Sequence, residues 1–205
     1  VAAALDSIGR YAGLIKAMKI GQVRAVATAA MRDAEDGAAF IKKVKDEFGL
    51  HIRIIEGEEE ARLSASGVMM NGLGAQGVIG DYGGGSLELI VVEKDVVKHK
   101  ASLPLGAHRL HAIRTREGRI KSVDEQLAAV GFLKNFQGQD FYAIGGAWRS
   151  MARAHMHLVR HPLHVLDHYT VDGKKAAEFA ELISRQSVAS LKKAVGMMEK
   201  RLHDI

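Results

Sequence analysis

The chain contains no cysteine, a single tryptophan and only 5% aromatic residues among its 205. The absence of cysteine excludes a disulfide scaffold and thiol catalysis, and it agrees with a reducing, cytoplasmic setting. No apolar run approaches the ~18 residues of a membrane span, and no secretory signal pattern is visible. Internal repeats and low-complexity linkers are also missing. Charge of one sign does not dominate: 29 Lys and Arg against 24 Asp and Glu leave +5. The basic residues alternate with acids, and no nucleic-acid motif is present. So mild a surplus suits a polyanionic ligand without requiring one. What remains is 47% hydrophobic, enough for the core of an Ala/Val/Ile-rich α/β protein of one or two domains.

Hydrophobic spacing predicts an amphipathic helix over 1–18, with Leu5, Ile8, Ala12 and Ile15 on one face, and a buried strand over 23–29. A helix follows over Ala38–Phe48, stopped by Gly49, then a strand over His51–Ile55 and a helix over Glu58–Met70. This βαβα order implies parallel pairing. Asn71-Gly72-Leu73-Gly74 breaks the helix, and a domain boundary is expected near 72–76. From Val78 to Leu103 the pattern is of strands joined by short turns, with Glu93-Lys94-Asp95 as one turn. Helices are expected near 107–114 and 122–134, a strand at 140–144, and helices over 147–158, 172–185 and 187–202.

The densest chemical signal is Asp81-Tyr82-Gly83-Gly84-Gly85-Ser86-Leu87-Glu88. Apolar runs flank it, so it reads as a β-hairpin with a carboxylate at each end. Three glycines remove every Cβ from the turn, permitting φ > 0 and a close approach of ligand to backbone. Successive N–H groups and the Ser86 hydroxyl suit an anion. Asp81 and Glu88 are the oxygen donors Mg²⁺ prefers. Taken alone, the same residues also fit a plain hairpin with a flexible turn.

Four further segments accompany it in order. They are Val23 to Ala34, which ends in a small-residue turn with Arg32; Glu56-Gly57-Glu58-Glu59-Glu60-Ala61-Arg62; Leu103-Pro104-Leu105-Gly106-Ala107-His108-Arg109-Leu110; and Phe141-Tyr142-Ala143-Ile144-Gly145-Gly146-Ala147-Trp148-Arg149. Over roughly Val23 to Val171 this series resembles the exopolyphosphatase / guanosine pentaphosphate phosphohydrolase family. The resemblance implies an α/β fold of actin-like ATPase (ribonuclease H-like) domains, with mixed sheets flanked by helices. Residues 1–74 would be the C-terminal part of a first domain and 75–205 most of a second. The first phosphate loop of that family, of the Asp-x-Gly-Ser-Asn-Ser type, has no counterpart here, and the chain has no initiator Met. It is therefore expected to be an interior fragment, inactive by itself.

The resemblance also implies roles. Glu60, the acid before the Ala-Arg pair, would orient or deprotonate the attacking water. By itself a run of three acids in a first helical turn only complements the helix dipole, and that reading is kept for Glu58 and Glu59. Arg32 would bind phosphate oxygens with its planar fork; the alternative is a surface salt bridge to Asp33 or Glu35. Gly83, Gly84, Gly85 and Ser86 would cradle phosphate, and Asp81 and Glu88 would hold Mg²⁺ as cofactor. Gly145 and Gly146, opening a helix, would present N–H groups to an anion, or would serve close helix–strand packing. Leu87 stands where the family usually has Thr, and Tyr82 where it has an aliphatic residue. His155, His157, His161, His164 and His168 lack zinc-site spacing and read as structural, as do Trp148, Met69-Met70 and Met197-Met198.

The expected activity is Mg²⁺-dependent release of terminal phosphate from inorganic polyphosphate. The alternatives are 5′-phosphate removal from guanosine pentaphosphate, or a non-catalytic module sensing polyphosphate or alarmone. The full-length parent is expected to be a cytoplasmic homodimer that binds neither nucleic acid nor membrane.

Overall fold

The structure is a computed structural model that describes residues 1–70 and 74–186. The expected helix over 187–202, Met197-Met198 and the break at Asn71-Gly72-Leu73 lie outside the described residues.

The N-terminal part forms around a small core. Helix α1 (Ala2–Ala17) turns Leu5 inward, with Ile8 beside it, onto Phe40 and Val44 of α3 (Gly37–Phe48). Gly9 permits the approach, since a Cβ there would meet the Phe48 ring at 3.0 Å. Helix α3 stops at Gly49, whose φ of 68° and N–H bond to the Lys45 carbonyl make it a left-handed cap. Strands β1 (Ala25–Ala27) and β2 (Ile52–Ile54) pair in parallel, Val26 opposite Arg53. The expected buried strand over 23–29 is corrected here. Only three residues are extended, and Val26 is 49% exposed, because among the described residues only one face of this two-stranded sheet meets a core. The turn that carries Arg32 is a helical one, α2 (Ala29–Arg32). Its Met31 and Arg32 N–H groups donate to the Thr28 carbonyl.

Helix α4 (Gly57–Met69) then crosses to a second, four-stranded sheet. This sheet contains β3 (Gly77–Tyr82), β4 (Leu87–Glu93), β5 (Val96–Leu103) and β6 (Phe141–Ile144), in the order β5-β4-β3-β6. The first three form an antiparallel meander, and β6 runs parallel to β3. Lys94 and Asp95, both at positive φ, make the two-residue turn between β4 and β5.

Period-two alternation gives the sheet two apolar faces. Ile79, Ile90 and Val92 meet Ala61 and Ala65 of α4 on one side. Those alanines, one turn apart, let the helix backbone come close. On the other side Val78, Leu89, Val91 and Leu103 meet Leu105, Val130 and the aromatic pair Phe132 and Phe136. Helix α5 (Ala107–Ala112) and helix α6 (Arg116–Ala128) lead to this layer. The expected helix over 122–134 starts earlier, at Arg116, because Thr115 caps it by accepting the Gly118 N–H at 3.1 Å. It also ends earlier, and Gly131–Phe136 form a 3₁₀ helix.

Helix α7 (Gly146–Leu158) follows β6, and α8 (Gly173–Ser184) is capped by the Asp172 carboxylate. Between them, Tyr169 hydrogen-bonds His155 Nδ1 at 2.6 Å, while the His161 ring packs on Tyr169 and Phe179 on His155. Two of the five histidines are thereby packed into the joint of α7, α8 and their connection. Met69 packs on the core, but Met70 is 86% exposed; the helix has ended, so its side chain points to solvent. No helix among the described residues is long and apolar enough to cross a membrane.

Candidate active site

The glycine hairpin is where the strands place it, with a different use of glycine from that expected. Tyr82 pairs with Leu87, and Gly83 N–H closes the turn on the Ser86 carbonyl at 2.9 Å. None of Gly83, Gly84 and Gly85 lies at positive φ. Gly84 and Gly85 instead lie where neighbours press on the loop. A Cβ on Gly85 would sit 2.7 Å from Ala29 Cβ, and one on Gly84 2.9 Å from the His108 ring. Gly106 is needed for the same reason, since its Cβ would overlap the Gly85 backbone at 2.2 Å.

All three loop carbonyls are taken. Gly83 accepts from Ala107 N–H at 3.1 Å, Gly84 from His108 N–H at 2.9 Å, and Gly85 from Arg109 Nε at 2.9 Å. Arg109 reaches on to the Asp33 carboxylate, beside Arg32. The N–H groups of Gly84, Gly85 and Ser86 meet no protein acceptor among the described residues. A loop with its carbonyls tied down and its amides free suits an anion.

Asp81 and Glu88 sit directly opposite each other across β3 and β4. Being two residues from Ile79 and Ile90, they share the face that α4 covers. There the serine one turn beyond Glu60, Ser64, donates to Asp81 Oδ2 at 2.6 Å. Ser102, opposite Glu88 on β5, donates to Glu88 Oε1 at 3.0 Å. Glu88 is 1% exposed. Burial pushes its carboxyl above the usual carboxylate range, the Ser86 hydrogen bond opposes this, Glu60 pushes further upward, Ser102 opposes, and Asp81 adds a smaller upward push.

Arg32 and Glu60 close the cluster. Arg32 Nη1 donates to the Ile55 carbonyl at 2.8 Å and lies 3.5 Å from Glu60 Oε2. Both side chains are 19% exposed. Glu60 Oε2 is buried and accepts no hydrogen bond from the described residues; Arg32 faces it as a charge rather than as a hydrogen-bond donor. Arg32 is not a plain surface pair: its Nε is 4.0 Å from Asp33, but its main partners are Ile55 and Glu60. Glu59 forms a bidentate pair with Arg53 at 2.6 and 2.7 Å, and Glu58 meets Lys100 at 2.7 Å. Of the three acids, only Glu60 faces the cluster.

On the other side of the loop, Gly145 ends β6 at φ 117°, and a Cβ there would meet the Tyr82 carbonyl at 2.4 Å. Gly146 then opens α7. Gly83, Gly84 and Gly146 line one cavity of about 160 Å³ together with Tyr82, Ala107, His108 and Ala147. The two glycine turns therefore meet, whereas Arg32, Glu60, Asp81, Ser86 and Glu88 gather on the α4 side of the same hairpin. Leu87 and Tyr82 face away from that cluster. Leu87 packs into the second apolar layer and Tyr82 lies edge-on to Trp148. A larger, apolar cavity of about 520 Å³ adjoins this opposite face, where no acid of the cluster points.

Among the described residues no three acids or histidines form a ready-made metal cage. Mg²⁺ rarely uses one; it takes one or two carboxylates, with water and phosphate completing its shell. Asp81 opposite Glu88, with Glu60 near enough to raise the proton affinity of Glu88, is a donor set of that kind. Ser64, Ser102 and Arg109 were not singled out by sequence. Ser64 had a local signal, sharing a helix face with Glu60; the others depend on strand register and tertiary contact.

A guanosine-5′-triphosphate,3′-diphosphate pyrophosphatase of Aliivibrio fischeri is 33% identical over 102 residues, 49% of this chain and 20% of that protein. Exopolyphosphatase 1 of Mycobacterium tuberculosis is 33% identical over 108 residues, 52% of this chain and 31% of that protein. The chain thus matches less than a third of the length of these curated relatives. A crystal structure of an exopolyphosphatase from Cytophaga hutchinsonii superposes with a TM-score of 0.85 at 21% identity, over 98% of this chain and 69% of that one. The PPX-GPPA enzyme of Aquifex aeolicus does so at 0.73 and 24%, over 98% and 70%. At such identities these two show a shared fold, a mixed α/β arrangement with helices flanking sheets. The Ppx/GppA phosphatase family model matches residues 1–205, and the chain belongs to that family.

Proposed function

We propose that the protein carrying this chain is a phosphohydrolase that releases terminal phosphate from inorganic polyphosphate with Mg²⁺. One observation supports this above the others. Arg32 pairs with Glu60 beside the opposed carboxylates Asp81 and Glu88, next to a glycine loop whose Gly84, Gly85 and Ser86 amides meet no protein acceptor among the described residues. The fold is then read as actin-like, with residues 1–74 as the end of one domain, 75–205 as most of a second, and α4 lying against the second sheet. As the whole protein, it is read as a homodimer.

In this reading Gly84, Gly85 and Ser86 N–H groups hold the terminal phosphate, with Gly83, Gly145 and Gly146 shaping the adjoining cleft. Arg32 spans two phosphate oxygens and offsets charge that develops as the anhydride bond breaks. Glu60 orients the attacking water and accepts its proton. Arg32 Nη1, 3.5 Å away, sets the side of the site on which the Glu60 carboxylate lies. Asp81 and Glu88 would hold Mg²⁺, which when bound neutralises phosphate charge. Ser64 and Ser102 fix the rotamers of those two acids.

A second reading, removal of the 5′ phosphate from guanosine pentaphosphate, is favoured by the relative from Aliivibrio fischeri. Both reactions cleave a terminal phosphoanhydride. Turnover of the two substrates at equal concentration decides between them. A protein that binds both and hydrolyses neither is a sensor instead.

A further inference from the structure

We propose that Arg109 is a positioning residue that locks the glycine loop to the Arg32 turn, so that loop amides and guanidinium address the same phosphate. The inference rests on the reading of this cluster as a phosphate site.

Three observations meet at Arg109. Its Nε donates to the Gly85 carbonyl at 2.9 Å, completing a set in which Ala107 and His108 N–H groups hold the Gly83 and Gly84 carbonyls. One terminal nitrogen, Nη2, pairs with Asp33, the residue after Arg32. Gly85 itself rests on Ala29 at the start of the turn that ends in Arg32. One planar side chain thus links the hairpin, α5 and α2, three elements far apart in sequence.

A peptide unit that turns its carbonyl toward Arg109 turns the following N–H the other way. Holding the carbonyls of Gly83, Gly84 and Gly85 therefore orients the N–H groups of Gly84, Gly85 and Ser86 away from α5. Glycine loops have many competing conformations, and within the turn the Gly83 N–H bond to the Ser86 carbonyl leaves peptides that could rotate. The fork geometry of arginine is what serves two acceptors in different directions. Arg109 and Asp33 are both nearly half exposed, and exposed ion pairs add little to stability. The pair therefore acts through position rather than through overall stability.

The test uses Arg109→Ala, Arg109→Lys and Asp33→Asn in the full protein, with tripolyphosphate as the binding probe and long-chain polyphosphate as substrate. Arg109→Ala should keep its melting temperature, speed hydrogen exchange at the Ala107 and His108 amides, and lower kcat/KM on the order of 10²-fold, the usual effect of misplaced catalytic geometry. Arg109→Lys retains the charge facing Asp33 but loses the Nε donor to Gly85, and should rescue little. Asp33→Asn should be milder, and additive effects of Asp33→Asn and Arg109→Ala would count against a shared clamp. Unchanged amide exchange in Arg109→Ala, or full rescue by lysine, would overturn the proposal. If the native protein hydrolyses no phosphate chain, the proposed function fails, and amide exchange at Ala107 and His108 still decides whether the clamp exists.

Discussion

Arg32 Nη1 lies 3.5 Å from Glu60 Oε2 while donating to the Ile55 carbonyl at 2.8 Å. The arginine ends α2 and the glutamate belongs to the first turn of α4, so the parallel pairing of β1 with β2 brings them together. The carbonyl anchors the guanidinium; in the proposed reaction its other donors would take phosphate oxygens.

Arg32→Lys should therefore fail as a conservative change. Lysine cannot hold the Ile55 carbonyl and offer two planar donors at once. Weaker tripolyphosphate binding and slower turnover are expected, with Arg32→Ala worse on both. Isothermal titration and steady-state kinetics measure the two effects. Native values for Arg32→Ala would make the arginine a structural pair only.

Gly145→Ala should destabilise the fold. The residue sits at φ 117°, and the added Cβ would come within 2.4 Å of the Tyr82 carbonyl. Strain of this kind costs about 1–3 kcal/mol. Gly146→Ala, where a Cβ meets nothing within 4 Å, should cost far less. Thermal or urea denaturation of the two variants provides the comparison.

His155 gives a pH signature. Burial, Lys175 and the neighbouring His161 hold its pKa below the ordinary value. The unfolded chain therefore binds this proton more readily than the folded one, so stability rises with pH across the window. The contribution is complete above the unfolded pKa of ~6.5 and is lost as pH falls through the lower folded value. The groups around it are Tyr169, His161 and Lys175, with Phe179 packed on its ring. His155→Gln should flatten the fall in melting temperature between pH 7 and pH 5. Identical slopes for native and variant would assign the pH dependence to other groups.

Much of this arrangement was legible in the residues. Gly49 marked the end of α3, and three glycines between apolar runs marked the hairpin and its carboxylates. The short range of such signals explains what was missed. Strand β1 looked buried because Val23, Val26 and the alanines are apolar, yet burial depends on what covers a face. The start of α6 rested on one capping threonine, Thr115, preceded by no apolar stripe. The positive φ expected of the glycine triplet is absent; Gly84 and Gly85 instead leave room for His108 and Ala29, contacts that no local pattern announces. Ser102 meets Glu88 through strand register, and Arg109 meets Gly85 and Asp33 through tertiary packing, neither of which leaves a local pattern.

The most direct measurement is orthophosphate release from long-chain polyphosphate by the protein carrying this chain, with and without Mg²⁺, for the native residue and for Glu60→Gln. Glutamine keeps the volume but cannot accept a proton from water. The expected result is Mg²⁺-dependent release by the native protein and about 10²–10⁴-fold slower release by the variant, with tripolyphosphate affinity retained. Near-native turnover by Glu60→Gln at saturating substrate would contradict the assignment of Glu60 as the base, and with it the account of this cluster as the catalytic site.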